Sequence, residues 1–181
     1  MTMKLDWMRG CATALVTPFT ADGSIDEERL RALVDRQING GVKLLVPCGT
    51  TGESATMTED EDARVIAMTI EVARGRAKVI AGAGSNSTAS AIDYSQRAQD
   101  AGADAVLQVA PWYNKPTQEG LYAHFRAPAC DADRYLNHAR VFIFSHRGAF
   151  ARGAARHQQL HAAVDLSIDQ RVQALFINRS I

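Results

Sequence analysis

The chain contains 181 residues, with 20 basic and 20 acidic side chains and a formal net charge of zero. Its apolar fraction of 46% and charged fraction of 22% are ordinary for a globular protein, and its length suits one domain or part of a larger one. The balanced charge argues against nucleic acid or an anionic membrane surface as a partner.

The cysteines are widely separated along the chain, at Cys11, Cys48 and Cys130. They form neither a metal-spacing pair nor a disulfide framework, which favours a reducing cytoplasm and predicts no bound metal. The apolar run after Lys4 and Arg9 is brief, so we expect neither a signal peptide nor a membrane span.

Short apolar runs alternate with helix-periodic segments along the first part of the chain. Four runs predict buried strands, at residues 12–16, 44–46, 78–81 and 105–109. Helices are predicted after them, at about 30–38, 65–72 and 87–101, and from 117 onward. A capping box at residues 58–61 opens the second helix, and the first three helices end at Gly40, Gly75 and Gly102.

Four strand–helix repeats in register predict a parallel sheet with right-handed crossovers. The glycine-rich and polar loops all follow the carboxyl ends of strands. This edge carries the catalytic loops of a (β/α)8 barrel and the ligand site of a doubly wound sheet, so both architectures remain open. The strand ends lack a G-x-G-x-x-G turn and the Lys-Ser/Thr of a P-loop, so neither a dinucleotide nor ATP is predicted, and we expect no cofactor.

The turn after the strand at 44–46 is the first candidate site. Gly49 and Gly52 allow the backbone to approach a ligand closely, and Thr50 and Thr51 between them add two hydroxyls. This arrangement suits a small carboxylate. The alternative is an ordinary connection between a strand and a helix, and spacing alone does not choose between the two.

Residues 10–127 resemble the dihydrodipicolinate synthase family of pyruvate-dependent class I aldolases. Four motifs carry the resemblance, in the family's order and spacing: TPF at 17–19, GTTGES at 49–54, AGAG at 81–84 and PWYNKPTQEGLY at 111–122. The resemblance implies a (β/α)8 TIM barrel and a cytoplasmic lyase of lysine and diaminopimelate biosynthesis, assembled as a homotetramer, a dimer of dimers. Ser54 and the tyrosine in the fourth loop favour the synthase over sialic-acid lyase relatives.

In this family, pyruvate forms a Schiff base with a lysine, becomes an enamine and attacks aspartate semialdehyde. The resemblance makes Thr50 a hydroxyl of a proton relay and Tyr113 a tyrosine that reaches that relay from the neighbouring subunit. Thr51 would hold the pyruvate carboxylate through its amide and hydroxyl, in the turn that Gly49 and Gly52 form. The alternative for Tyr113 is a surface aromatic residue without a role in catalysis.

A second set of positions matches the site where family members bind lysine as a feedback inhibitor: Ser54, Ala55, Asn86 and Trp112. The resemblance therefore implies a lysine-effector site at these residues. The alternative is a helix cap and a polar surface, and the residue types alone do not exclude it.

The resemblance does not extend to the part of the family's sequence that carries the nucleophilic lysine. The family's Tyr-Asn-x-Pro-x-Arg-Thr motif and its Schiff-base lysine have no counterpart, since no lysine follows Lys115. Lys43 and Lys78 enter their strands at the opposite face, and Lys115 belongs to a loop. Two alternatives to the synthase follow: an inactive half barrel that binds a small carboxylate or a partner chain, and another pyruvate-dependent lyase of the superfamily.

The composition changes abruptly after Ala127. All five histidines lie at or beyond His124, eight arginines lie from Arg126 onward, and no glutamate follows Glu119. We interpret residues 1–127 as about four βα units of an incomplete barrel and residues 128–181 as a divergent tail, with a strand near 140–144 and a helix near 151–164. A reading-frame change explains the tail best, and a selected tail that covers an open sheet edge is the alternative.

Overall fold

The computed structural model describes Trp7, residues 11–135 and residues 141–144, with side chains described up to Pro128. Strands and helices alternate throughout this part of the chain. In chain order they are β1 (Ala12–Ala14), α1 (Glu27–Asn39), β2 (Leu44–Val46), α2 (Glu59–Ala73), β3 (Lys78–Gly82), α3 (Thr88–Asp100), β4 (Ala105–Val109), α4 (Gln118–Tyr135) and β5 (Val141–Phe144). Among these helices, none has the length and apolar character needed to cross a bilayer.

The sheet follows the order of the chain, β1-β2-β3-β4-β5, and every neighbouring pair is parallel. A doubly wound sheet reverses its strand order at a switch point, whereas a barrel adds each strand beside the previous one. The strand order therefore decides between the two architectures that the sequence leaves open. The described chain is an incomplete α/β barrel, as predicted.

Helix starts follow local capping signals. The predicted capping box is present at α2, where the Glu61 N–H donates to Thr58 Oγ1 at 3.3 Å and the Thr58 N–H donates to Glu61 Oε2 at 2.7 Å. The side chains of Asp26 and Ser87 accept N–H groups at the first turns of α1 and α3. Because these bonds satisfy amides that a helix leaves unpaired, each helix begins at a defined residue.

The main core lies between the sheet and the helices. Its largest fully buried side chains include Leu30, Leu45, Met68 and Val79. Alternate strand residues face the other side of the sheet, where Val46, Ile80 and Ala105 form a smaller cluster against Trp7 and Leu107. β2, β3 and β4 are therefore buried on both faces over most of their length, which explains why they appear in the sequence as short continuous apolar runs.

At the ends of the sheet, the structure changes one prediction and confirms another. β1 ends at Ala14 and not at residue 16, although the Leu15 N–H still donates to Val46 O at 3.0 Å. The predicted strand near 140–144 is present as β5 and pairs with β4, so β4 has neighbours on both sides. The predicted helix near 151–164 lies outside the described residues. The domain boundary at 127 stays a prediction, and α4 runs across it to Tyr135.

His124 lies on α4 at its interface with α3 and is 5% exposed. Its Nδ1 atom lies 2.9 Å from Thr88 Oγ1 on α3. Its Nε2 atom is buried and has no hydrogen-bond partner within the described residues. Burial lowers the pKa of His124 below its usual range, because the charged imidazolium is poorly solvated there.

We expect His124 to weaken the fold in mildly acidic solution. The unfolded chain binds a proton near the ordinary histidine pKa of about 6.5, whereas the folded chain resists that proton until lower pH. This contribution to stability is therefore complete above about pH 6.5 and declines as the pH falls toward the folded pKa. His124→Gln should reduce the loss of melting temperature between about pH 7.5 and about pH 5.5 by roughly a few degrees. An unchanged pH dependence in the variant would contradict this expectation.

Candidate active site

The turn at 49–52 and the loop that contains Tyr113 leave the same edge of the sheet. The turn follows β2, the Tyr113 loop follows β4, and β3 lies between these two strands. Because all strand pairs are parallel, both segments lie at the carboxyl edge. The predicted placement of Thr50, Thr51 and Tyr113 at one edge is confirmed.

Thr50–Gly52 form a short 3₁₀ turn. The Gly52 N–H donates to Gly49 O at 3.0 Å, and the Glu53 N–H donates to Thr50 O at 3.2 Å. The Gly52 amide is therefore used inside the turn and is not offered to a ligand. Glycine at 52 avoids a close contact, because a Cβ atom there would lie 3.0 Å from the Leu15 carbonyl oxygen.

Thr50 and Thr51 lie at the exposed surface of this turn. Within the described residues, neither their hydroxyls nor their amide N–H groups have a hydrogen-bond partner. Hydroxyl and amide donors side by side, without internal acceptors, can bind an anionic oxygen. The turn therefore has the chemistry of a small carboxylate site.

Tyr113 is 97% exposed, and its φ of 72° lies in the left-handed region. Lys115 has a φ of 46°, and the Asn114 N–H donates to Trp112 O at 2.9 Å, so the loop is tightly bent around Tyr113. The structure shows no hydrogen bond between Tyr113 and Thr50 among the described residues. Within one chain, the two predicted relay hydroxyls therefore lie on the same edge without meeting.

The positions predicted to bind lysine are largely used for internal contacts. Ser54 Oγ donates to Asp62 Oδ2 on α2 at 2.8 Å, and Asn86 Nδ2 donates to Asn114 Oδ1 at 3.3 Å. Ala55 is exposed, and Trp112 is 51% exposed. Both hydrogen bonds give the polar residues a structural role, which is the alternative interpretation from the sequence. The effector role stays a prediction.

A partly buried hydrogen bond joins Cys48, just before the turn, to α2. Cys48 is 4% exposed with a φ of 55°, and its Sγ donates to the Asp62 backbone oxygen at 3.5 Å. Burial raises the pKa of the Cys48 thiol, and burial also raises the pKa of the Asp62 carboxyl. Cys48 therefore remains a neutral thiol with a structural role and is not a nucleophile. The sequence does not predict the contacts of Asp62 with Cys48 and Ser54, because they join residues that are 14 and 8 apart along the chain.

Among the described residues, no lysine is buried at the carboxyl edge of the sheet. Lys43 is exposed directly before β2, and Lys78 begins β3, where its Nζ atom lies 2.6 Å from Asp104 Oδ1. Lys115 is exposed beside Tyr113. In the part of the chain that the structure describes, no group of three or more histidine, cysteine or acidic side chains could hold a metal ion.

Residues 7–136 match the dihydrodipicolinate synthetase family. The 4-hydroxy-tetrahydrodipicolinate synthase of Koribacter versatilis (strain Ellin345) is 54% identical over 130 residues, which cover 71% of this chain and 43% of that enzyme. The enzyme of the same name from Phenylobacterium zucineum (strain HLK1) is 59% identical over 119 residues, which cover 66% and 40%. The chain thus spans less than half the length of the curated relatives it matches.

Solved structures resemble the described fold to a similar extent. The chloride-inhibited dihydrodipicolinate synthase from Acinetobacter baumannii, solved with pyruvate, superposes with a TM-score of 0.71 and 42% sequence identity. The match covers 77% of this chain and 46% of that chain. The similarity therefore includes the architecture as well as the sequence of the matched part.

Proposed function

Because the chain belongs to the dihydrodipicolinate synthetase family, we propose that it carries the pyruvate-carboxylate site of a 4-hydroxy-tetrahydrodipicolinate synthase. Thr50 and Thr51 would bind the carboxylate. The observation that carries this proposal is the pair of exposed threonines whose hydroxyls and amides have no internal acceptor within the described residues. This chain spans less than half the length of the relatives that carry this name, so the proposal concerns the carboxylate site and not the complete activity.

The chemistry of the turn supports a division of roles. The Thr51 amide and hydroxyl would donate to the carboxylate oxygens of pyruvate, which fixes the orientation of the keto group. Thr50 Oγ would pass a proton, since a hydroxyl donates and accepts at the same time. Thr50 and Thr51 are adjacent, so one ligand can contact both residues.

Tyr113 would complete the relay in a second copy of the chain. Two observations support this role: the side chain is 97% exposed, and the loop is bent by a left-handed backbone that a non-glycine residue adopts only at a cost of about 1 kcal/mol. A strained, projecting tyrosine gains from packing against a partner. We therefore propose a homo-oligomer, in which the partner subunit supplies this side chain.

We infer that none of the lysines in these 181 residues takes the part of the amine that the family's covalent step requires, since no lysine follows Lys115. We propose that the chain binds pyruvate reversibly and does not condense it with an aldehyde. The carboxylate subsite and the covalent chemistry are thus separate properties, and they can be measured separately.

Titration of the isotope-labelled chain with pyruvate tests the carboxylate site. We expect saturable NMR shifts at the Thr50 and Thr51 amides, and an affinity that falls roughly tenfold in Thr51→Val, because a hydrogen bond to a charged group is lost. Thr56→Val is the matched control: Thr56 is an exposed threonine in the next turn, and its hydroxyl donates to Glu53 O. Equal loss of affinity in both variants, or no saturable shift in the unmodified chain, would refute the proposed site.

A further inference from the structure

Thr17 lies just beyond the carboxyl end of β1 and is 5% exposed. Its Oγ1 atom donates to the carbonyl oxygen of Gly52 at 2.7 Å, in a buried hydrogen bond between residues that are 35 apart in sequence. Gly52 directly follows Thr51 in the chain. The Thr17 hydroxyl, in the segment that follows β1, therefore holds the carbonyl group at the end of the turn.

A second contact joins the same two segments. A Cβ atom on Gly52 would lie 3.0 Å from Leu15 O and 3.4 Å from Thr17 Oγ1, so the turn packs closely against the end of β1. The Leu15 N–H donates to Val46 O at 3.0 Å, which extends the pairing of β1 and β2 up to this contact. The segment from Leu15 to Thr17 is thus held beside β2 and packs against the turn at Gly52.

The Gly52 carbonyl needs this donor. A buried carbonyl without a partner is costly, so removal of the Thr17 hydroxyl favours rotation of the Gly52–Glu53 peptide toward water. Glu53 has a φ of 56°, a left-handed conformation that is costly for a non-glycine residue and persists only where neighbouring contacts fix it. Rotation there would shift the hydroxyls and amides of the two preceding threonines.

We infer that Thr17 is a positioning residue that fixes the turn at 49–52 in the conformation that binds a carboxylate, an inference that rests on the proposed function. Thr17 does not touch the ligand. It acts through the Gly52 carbonyl, and it thereby sets the direction of the donors on Thr50 and Thr51. Nothing else among the described side chains donates to that carbonyl.

The test compares three variants with the unmodified chain. Thr17→Val keeps the side-chain shape and removes the donor, whereas Thr17→Ser keeps the donor. Thr13→Val is the matched control, because the Thr13 hydroxyl on β1 donates to Gln37 Oε1 at 3.2 Å, toward α1 and away from the turn. For each variant, NMR measures amide exchange at Gly52 and Glu53 without ligand and then the affinity for pyruvate, and a melting curve measures stability.

We expect Thr17→Val to speed amide exchange at Gly52 and Glu53 by about tenfold and to weaken pyruvate binding by about fivefold or more. Thr17→Ser should restore both values to within about twofold, and Thr13→Val should lower the melting temperature while leaving both unchanged. If Thr17→Val does not fold, Thr17→Cys supplies a weaker donor for the same comparison. Equal exchange in Thr17→Val and Thr13→Val would overturn the inference.

Failure of the proposed function gives a different result. If the unmodified chain does not bind pyruvate, the carboxylate site is wrong, yet the exchange rates at Gly52 and Glu53 still decide whether Thr17 fixes the turn. If the chain binds pyruvate and Thr17→Val binds it equally well, the carboxylate site stands and the positioning role of Thr17 is wrong.

Discussion

Incubation of this chain with pyruvate and borohydride is expected to leave its intact mass unchanged. Borohydride traps a Schiff base as a stable amine, so an enzyme that uses a lysine nucleophile gains the mass of reduced pyruvate. The Lys78 ammonium contacts Asp104 at the amino end of β3, and Lys115 is exposed on a loop. Neither amine lies in a desolvated pocket, which is the environment that activates a Schiff-base lysine.

Synthase activity should be lost together with the adduct. Removing a nucleophile commonly costs several orders of magnitude in rate, so we expect at least roughly 10⁴-fold less turnover than in a full-length relative. Such a relative, treated in the same way, is the positive control for trapping. A stoichiometric adduct that maps to Lys115 would contradict the expectation and would assign the nucleophile to the Tyr113 loop.

Gly82→Ala is expected to destabilise the sheet strongly. The Gly82 N–H donates to Pro47 O at 3.0 Å, and a Cβ atom on Gly82 would lie 1.9 Å from the Cys48 carbonyl oxygen. That contact involves backbone and not the end of a flexible side chain, so β2 and β3 must separate to relieve it. We expect a loss of about 3 kcal/mol in the free energy of unfolding and a fall of about 6–12 °C in melting temperature.

Gly120→Ala is the matched control for this substitution. Gly120 lies in α4, where the nearest atom to an added Cβ is Thr117 Oγ1 at an ordinary distance of 3.4 Å. Alanine is the better helix former there, so the control should be neutral or more stable by about 0.5–1 kcal/mol. A Gly82→Ala variant that melts within about 2 °C of the unmodified chain would show that the two strand ends separate easily.

Much of this fold was predictable, because its signals are local. The strand at Leu44–Val46 and the Thr58 capping box depend on apolar runs and on side chains within three residues of each other. The shared edge of Thr50 and Tyr113 follows from parallel pairing alone. None of these inferences requires knowledge of how distant segments pack.

The features that sequence reasoning missed are contacts between distant segments. The Thr17 hydroxyl meets Gly52 only after β1 and β2 pair, and the TPF motif gave no sign of that bond beyond the presence of a hydroxyl. The approach of Gly82 to Cys48 likewise arises at the ends of two paired strands. A glycine at the end of a strand suggests that another backbone segment approaches it closely. Which segment that is depends on the register of the paired strands, which a single sequence does not specify.

The sequential order of the strands has a consequence for the way the chain assembles. Each strand pairs with the strand that immediately precedes it, across a separation of roughly 30 residues, as in Ala12 with Leu44 and Val106 with Val141. Among the five described strands, the loop closures are of similar, moderate length, and none of these strands needs a partner from a distant part of the chain. During synthesis from the ribosome, β1 and β2 can pair as soon as both have emerged, and each later βα unit adds to a surface that already exists.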